Sequence, residues 1–463
     1  MRSYRQEKSA RSSPAPATTG MHTLFFRALL RAFALAASST ALSAQLTIHG
    51  SEQLAQLAQY TRSVLHGQSA TTSYDLFHMV VAHLRLGQLH DARALLTQHQ
   101  GSKRPELILA AFATLQRTTG ANRLAPAQRR SLERRLKTSE QQPFSNFHEA
   151  ALQIHGRYCL AQLDNDARRS HHERIATTRL LALESETWQP GRGHYRPTPC
   201  HGRLLVPAPA DASLLQPLTY GMLLASGDRL AQHLTNTLAA ARSDSKLRWQ
   251  SNQPSNKVAS LLLTAAAQIA DHTATSEAYA AVIKQRAEDP GTAARNLNAA
   301  LQAITGVRLA AGAGQNPRWL RLAPWLPDGV DRIDLRGIQI LEHELAVSIQ
   351  RLQAPLGLRT SVNLQRGAPR GLQLVIGNRW KQFVTTASTK HPFECDLLDA
   401  KEASQKNATN EPENGSRHAP STRRSPLVTS HCSPMVLLGL SRQCRPACPM
   451  PHPNRAHRGV FDY

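Results

Sequence analysis

Between residues 51 and 305 apolar residues recur at three- and four-residue spacing, and Gly-, Pro- or Ser-rich breaks interrupt them every twelve to twenty residues. That period is the signature of successive amphipathic helices, and it leaves little choice of fold class. The spacing predicts helices over 51–66, 74–86, 89–99, 105–119, 126–139, 145–164, 166–186, 211–226, 228–242, 256–271, 275–287 and 291–305, twelve in all, or six hairpins. Aromatic residues make up only 5% of the chain, low for an all-β protein and ordinary for an Ala/Leu-rich helical one.

The connections fall into two kinds. One set is short and plain, as in Leu86-Gly87-Gln88 and Ser226-Gly227-Asp228. The other set precedes the even-numbered helices and is richer: SATTSY before Asp75, QQPFSNFH before Glu149, WQPGRGHYRPTPCHGRLLVPAPA before Asp211 and RWQSNQPS before Asn256. Alternating outer and inner helices place every loop of one set on one face, and function gathers on loops held by a rigid scaffold. A closed α/α toroid and an open right-handed solenoid both satisfy that alternation. Residues 80–96, VVAHLRLGQLHDARALL, have the look of a tetratricopeptide hairpin, but no period of thirty-four residues recurs.

After Gly314 the texture changes. The runs 332–340, 344–352, 358–366 and 371–379 alternate apolar and polar residues with turn signals between them, which predicts four strands. Beyond about 385 periodicity and apolar content fade, and the composition is that of a disordered tail. The expected organisation is an upstream extension and signal peptide over 1–44, a helical-hairpin domain over 45–312, a small β-sandwich-like domain over 316–384 and a tail over 385–463.

The segment LRLAPWLPDGVDRIDLRGIQI resembles the junction that follows the helical toroid in bacterial six-hairpin glycosidases of the amylo-α-1,6-glucosidase and α-L-rhamnosidase kind. The matching residues are Leu320, Leu322, Pro324, Leu326, Pro327, Gly329, Leu335, Gly337 and Ile338. A weaker match is Tyr74-Asp75 followed by Leu86-Gly87 and Ala92-Arg93, which is similar to a toroid hairpin whose inner helix opens on an aromatic and an aspartate. The resemblance implies an α/α toroid followed by a β-sandwich, and a protein that hydrolyses or binds a carbohydrate. The alternative is a non-catalytic helical scaffold binding protein or glycan.

Glycoside hydrolysis needs two carboxyl groups across the scissile bond. Asp75, Glu149 and Asp211 each lie at or near a predicted helix start and follow a rich loop. Helix starts also favour such residues as caps and as partners of the helix dipole. Glu149 is the candidate acid, and Asp75 or Asp211 the candidate base. Trp188, His194, Tyr195 and Trp249 are candidates to stack on a sugar, with Tyr74, Phe144 and Phe147 similarly placed. The loop 188–210 holds three glycines and five prolines, the make-up of a shaped segment. Arg192 and Arg196 fit either an acidic sugar or solvent.

Residues 21–44 carry Arg27 and Arg31 before a short apolar run that ends in Ala-Leu-Ser-Ala, the anatomy of a cleaved secretory signal, so export to the periplasm or medium is expected. The formal net charge is +23, spread without a lysine-rich block or interleaved aromatics, which argues against a nucleic-acid stripe. No later segment has eighteen uninterrupted apolar residues, so no membrane span is expected in the mature protein. Neither the cysteine spacing nor any other motif calls for a metal or a cofactor, and a Cys159–Cys200 disulfide is conceivable in an oxidising compartment.

Overall fold

The computed structural model describes residues 45–99, 104–120, 124–141, 146–164, 166–197, 212–215, 217, 227–243, 256–284, 286–287, 289–307, 319–340, 343–353, 356–367, 372–377, 382–386 and 392–398. Residues 1–44, where a signal peptide is expected, and the chain after Leu398 lie outside the described residues, as does Asp211.

Eleven α-helices are described: α1 (Glu52–Leu65), α2 (Ser73–Arg85), α3 (Leu89–Gln98), α4 (Pro105–Thr119), α5 (Pro126–Glu140), α6 (Phe147–Leu163), α7 (Asp166–Thr187), α8 (Gly227–Ser243), α9 (Asn256–Ile269), α10 (His272–Lys284) and α11 (Pro290–Thr305). Each agrees with a predicted helix to within three residues. The helix expected over 211–226 lies mostly outside the described residues, where a 3-10 turn is seen at Ala212–Leu215.

Their packing closes a ring. α2 packs on α4, α4 on α6, α6 touches the turn at 212–215, that turn touches α9, and α9 packs on α11. α11 returns to α2 and α1, which an open solenoid would not allow. α1, α3, α5, α7, α8 and α10 stand outside. The sequence explains the two roles. In α4 every residue from Pro105 to Leu115 is buried, whereas in α5 only Leu132 and Leu136 are. Long-range bonds fasten the seam: Asn298 Nδ2 donates to His78 O at 2.9 Å, and Tyr60 Oη donates to Ala287 O at 3.1 Å.

The β-strands form two larger sheets and one small hairpin. β1 (Thr47–His49), β5 (Arg332–Ile340), β6 (His343–Gln353), β7 (Leu356–Arg366) and β10 (Phe393–Leu398) make an antiparallel sheet in the order β1-β5-β6-β7-β10. β4 (Trp319–Leu322), β8 (Gln373–Gly377) and β9 (Gln382–Thr386) make a second, with β4 parallel to β8. β2 (Trp188–Gln189) pairs with β3 (His194–Tyr195) in the loop after α7. The strand β10 extends regular structure past 384, where the tail was expected to begin. Cys395 is buried in it, and Asp396 accepts two bonds from Arg359 across to β7. β1 also joins the sheet from the start of the helical segment.

The larger sheet meets the ring at the C-terminal ends of the inner helices. β5 lies against α2 and α4, and a cavity of about 20 Å³ between Leu84, Leu301, Leu335 and Ile338 marks the junction. Gly306 ends α11 in the left-handed region, φ 69°, which lets Ala323 N reach Thr305 O at 3.0 Å. A Cβ at Gly306 would overlap Ala323. Gly337, φ 82°, sits at the irregularity between Arg336 and Ile338, where the strand takes a bulge. Among the described residues no helix is long and apolar enough to cross a membrane.

Candidate functional site

At the opposite end of the ring the N-terminal turns of α2, α4, α6 and α11 converge, and polar side chains replace apolar ones. Thr72 caps α2 by accepting from Asp75 N at 3.1 Å. The Asp75 carboxylate accepts from Thr72 Oγ1 at 2.7 Å and from Thr71 Oγ1 at 2.8 Å, and Arg295 of α11 lies 3.6 Å away. A Cβ at Gly291 would fall on the same carboxylate, so the first turn of α11 is moulded to it. Asp75 therefore clasps the first inner helix to the last.

Glu149 stands on the first turn of α6, which Asn146 caps through a 2.9 Å bond from Glu149 N. Its Oε1 accepts from Arg104 Nη2 at 2.7 Å, and both side chains keep about a third of their surface in solvent (29% and 34%). Tyr74 stacks on His148 beside this pair, with ring centroids 5.7 Å apart and 26° between planes. Burial, then the neighbouring Arg104, pulls His148 down to about 4, so its imidazole is neutral near pH 7. Burial raises the Tyr74 phenol, helped by Glu149 and Glu106 and opposed by Arg104. Glu106, in the first turn of α4, is 1% exposed. Ser139 Oγ donates to its Oε1 at 3.1 Å, and burial raises this carboxyl above its ordinary range. The mouth thus combines a half-exposed ion pair, a stacked aromatic pair and a buried carboxyl.

Of the loop expected over 188–210, residues 188–197 are described, and bonds fix them at several points. Gly193, φ 63°, closes the β2–β3 turn with its N–H on Gln189 O at 2.7 Å, and Asn236 of α8 donates to Arg192 O and Gly193 O. Phe147 N donates to Pro197 O at 2.7 Å, which ties the loop to the start of α6. Tyr195 is fully buried: Phe147 stacks on it at 5.0 Å, Trp188 and His233 meet it edge-on, and its hydroxyl donates to Glu184 at 3.3 Å. His194 is also buried. The expected stacking of Tyr195 and His194 on a ligand is corrected by these contacts, since protein already covers the rings. Trp188 is half-buried, with the Arg229 guanidinium 5.6 Å over its ring.

Asp75 and Glu149 thus reach one end of the ring, by separate attachments, while Asp211, Trp249 and Phe144 lie outside the described residues. Cys159 is a buried free thiol whose pKa burial raises, and Cys200 lies outside the described residues. The sequence reading missed Arg104, Glu106 and Arg295. Arg104-Pro105-Glu106 carried the available signal: a proline in the first helical position, flanked by opposite charges, marks a helix start where charged side chains gather.

No family model matches the chain, and no curated protein matches it by sequence. Among solved structures the chain is similar to one assigned as a kojibiose phosphorylase from the human microbiome, at 8% identity and a TM-score of 0.49, over 77% of this chain and 68% of the other.

Proposed function

We propose that the protein is carbohydrate-active and engages a sugar at the mouth formed by the N-terminal turns of the inner helices. The observation that carries this reading is the half-exposed Arg104–Glu149 pair beside the Tyr74–His148 stack at one end of a closed helical ring. A guanidinium and a carboxylate give the paired donors and acceptors that vicinal hydroxyls take up, and an aromatic ring offers a face to the apolar side of a pyranose. The six-hairpin resemblance of Leu320–Ile338 supports a glycosidase-like reading, with Glu149 as its first carboxyl and Asp75 or Asp211 as the second.

A second reading, glycan binding without turnover, draws support from Asp75. Two threonine hydroxyls, Arg295 and the α11 backbone hold that carboxylate, which suits a clasp better than a reacting base. Hydrolysis of a panel of aryl glycosides, with calorimetric titration of the same sugars, separates the two. Turnover that Glu149→Gln abolishes supports the hydrolase; binding without turnover, weakened by Arg104→Ala, supports the second; neither binding nor turnover refutes both.

A further inference from the structure

The outer helices α5 and α7 stand side by side. Arg179 of α7 donates to Glu140 O of α5 at 3.3 Å, and His172 Nε2 lies 3.8 Å from Glu133. Between them the acids have turned inward. Asp164, whose side chain is 1% exposed, pairs with Arg129 at 2.6 Å and with His172 at 3.2 Å. Glu140, 6% exposed, takes both an Nε bond at 2.7 Å and an Nη2 contact from Arg157.

The bases have turned outward. Arg130, Arg134 and Lys137 follow one another at helical spacing on the exposed side of α5, a stripe of about 10 Å at 1.5 Å per residue. Arg168 and Arg174 are exposed on α7 with His171 between them. None of these five cations has an ion pair among the described residues. Opposing them are Glu173, exposed on α7, and Glu133, whose side chain is 35% exposed and already faces His172 and Arg129.

Neutralising buried arginines with the local acids while leaving five cations in solvent makes a predominantly positive face, with Glu173 as its exposed acid. No exposed aromatic interrupts it, so it offers nothing for unpaired bases to stack on. We infer that the α5–α7 face docks an extended acidic polysaccharide, its carboxylates meeting the Arg130–Arg134–Lys137 stripe of α5 and the exposed Arg168 and Arg174 of α7; the choice of a glycan rests on the carbohydrate reading of the mouth.

The test uses the full chain and polygalacturonate as probe, with fully methyl-esterified polygalacturonate and duplex DNA as controls. Five released counterions predict an affinity that falls about 100-fold between 50 and 200 mM salt. The variant carrying Arg130→Gln, Arg134→Gln, Lys137→Gln, Arg168→Gln and Arg174→Gln should bind at least about tenfold more weakly at 50 mM, with an unchanged melting temperature, because exposed, unpaired side chains add little to stability. The esterified polymer should not bind. Wild-type affinity in the five-fold variant overturns the proposal, as does tighter binding of DNA than of polygalacturonate. Glu149→Gln should keep the polygalacturonate affinity. Loss of binding in the five-fold variant, together with no turnover or binding of neutral sugars, would leave this face standing and remove the mouth reading.

Discussion

The two ends of the ring are made of opposite chemistry. At the C-terminal ends of the inner helices, Leu84 and Leu301 meet Leu335 and Ile338 of the sheet, and left-handed Gly306 lets the chain double back toward Ala323. At the N-terminal ends Asp75, Arg104, Glu106, Glu149 and Arg295 take the equivalent positions. A helix end leaves four N–H groups unpaired, and polar residues gather there for capping alone. The mouth goes further, with an ion pair left half in solvent. The contrast teaches that one end carries cohesion and the other is free to carry chemistry.

Substitutions at the two ends should therefore separate stability from ligand effects. Leu335→Ala removes a buried side chain at the sheet–ring junction and should cost about 3 kcal/mol. Denaturant unfolding reads the loss, and sugar affinity should hold; a shift in affinity would join the two ends. Glu149→Gln should do the reverse. On the hydrolase reading turnover should drop about 100-fold or more, while the loss of a partly exposed ion pair costs less than about 1 kcal/mol. A large fall in melting temperature with turnover intact would make Glu149 a structural residue.

Acid should act on the mouth, on the polar wall of α5, α6 and α7, and on His78 and His83 of α2, both lowered by burial. Burial lowers His172 below its ordinary 6.5, with Arg157 and His171 adding to the drop and Glu133 and Asp164 opposing it. Burial likewise brings His148 and His233 to about 4. For a histidine lowered in the folded state, the unfolded chain binds more protons below 6.5. The stability it contributes is present above that pH and is lost as pH falls toward the folded value. The melting temperature should hold from pH 8 to 6.5 and decline from 6.5 to 4, and His172→Gln should flatten the decline. A flat wild-type profile, or an identical slope in the variant, would disprove this account. The smallest effect concerns Ala270, which follows α9 at the C-terminal end with φ 55°. Ala270→Gly should relieve strain and stabilise by about 0.5–1 kcal/mol; a loss in chemical denaturation would show that the turn is not strained.

The helices were legible because burial of one stripe forces an apolar period on the chain, and α4 could be placed at 105–119 without error. Ring closure was not legible. The bonds from Asn298 to His78 and from Tyr60 to Ala287 join residues more than two hundred positions apart and leave no local pattern. Tyr195 misled for another reason: an aromatic in a Pro/Gly-rich loop reads the same whether it faces solvent or a buried histidine. Glu106 occupies a first-turn position that any helix favours for an acid, and only its burial behind Ser139 distinguishes it. The strand Phe393–Leu398 was lost because six residues among polar neighbours give too short an alternation to register.

The seam between α11 and the first hairpin also sets an order of assembly. A ribosome delivers α1 and α2 first, yet the face they offer to α11 stays uncovered until Thr305 has emerged. Bringing such distant segments together carries a chain-entropy cost before any contact repays it. The last of the described helices to be synthesised is thus the keystone of folding, and the nascent chain must hold its first hairpin in waiting, with apolar surface at risk of aggregation, for most of its elongation.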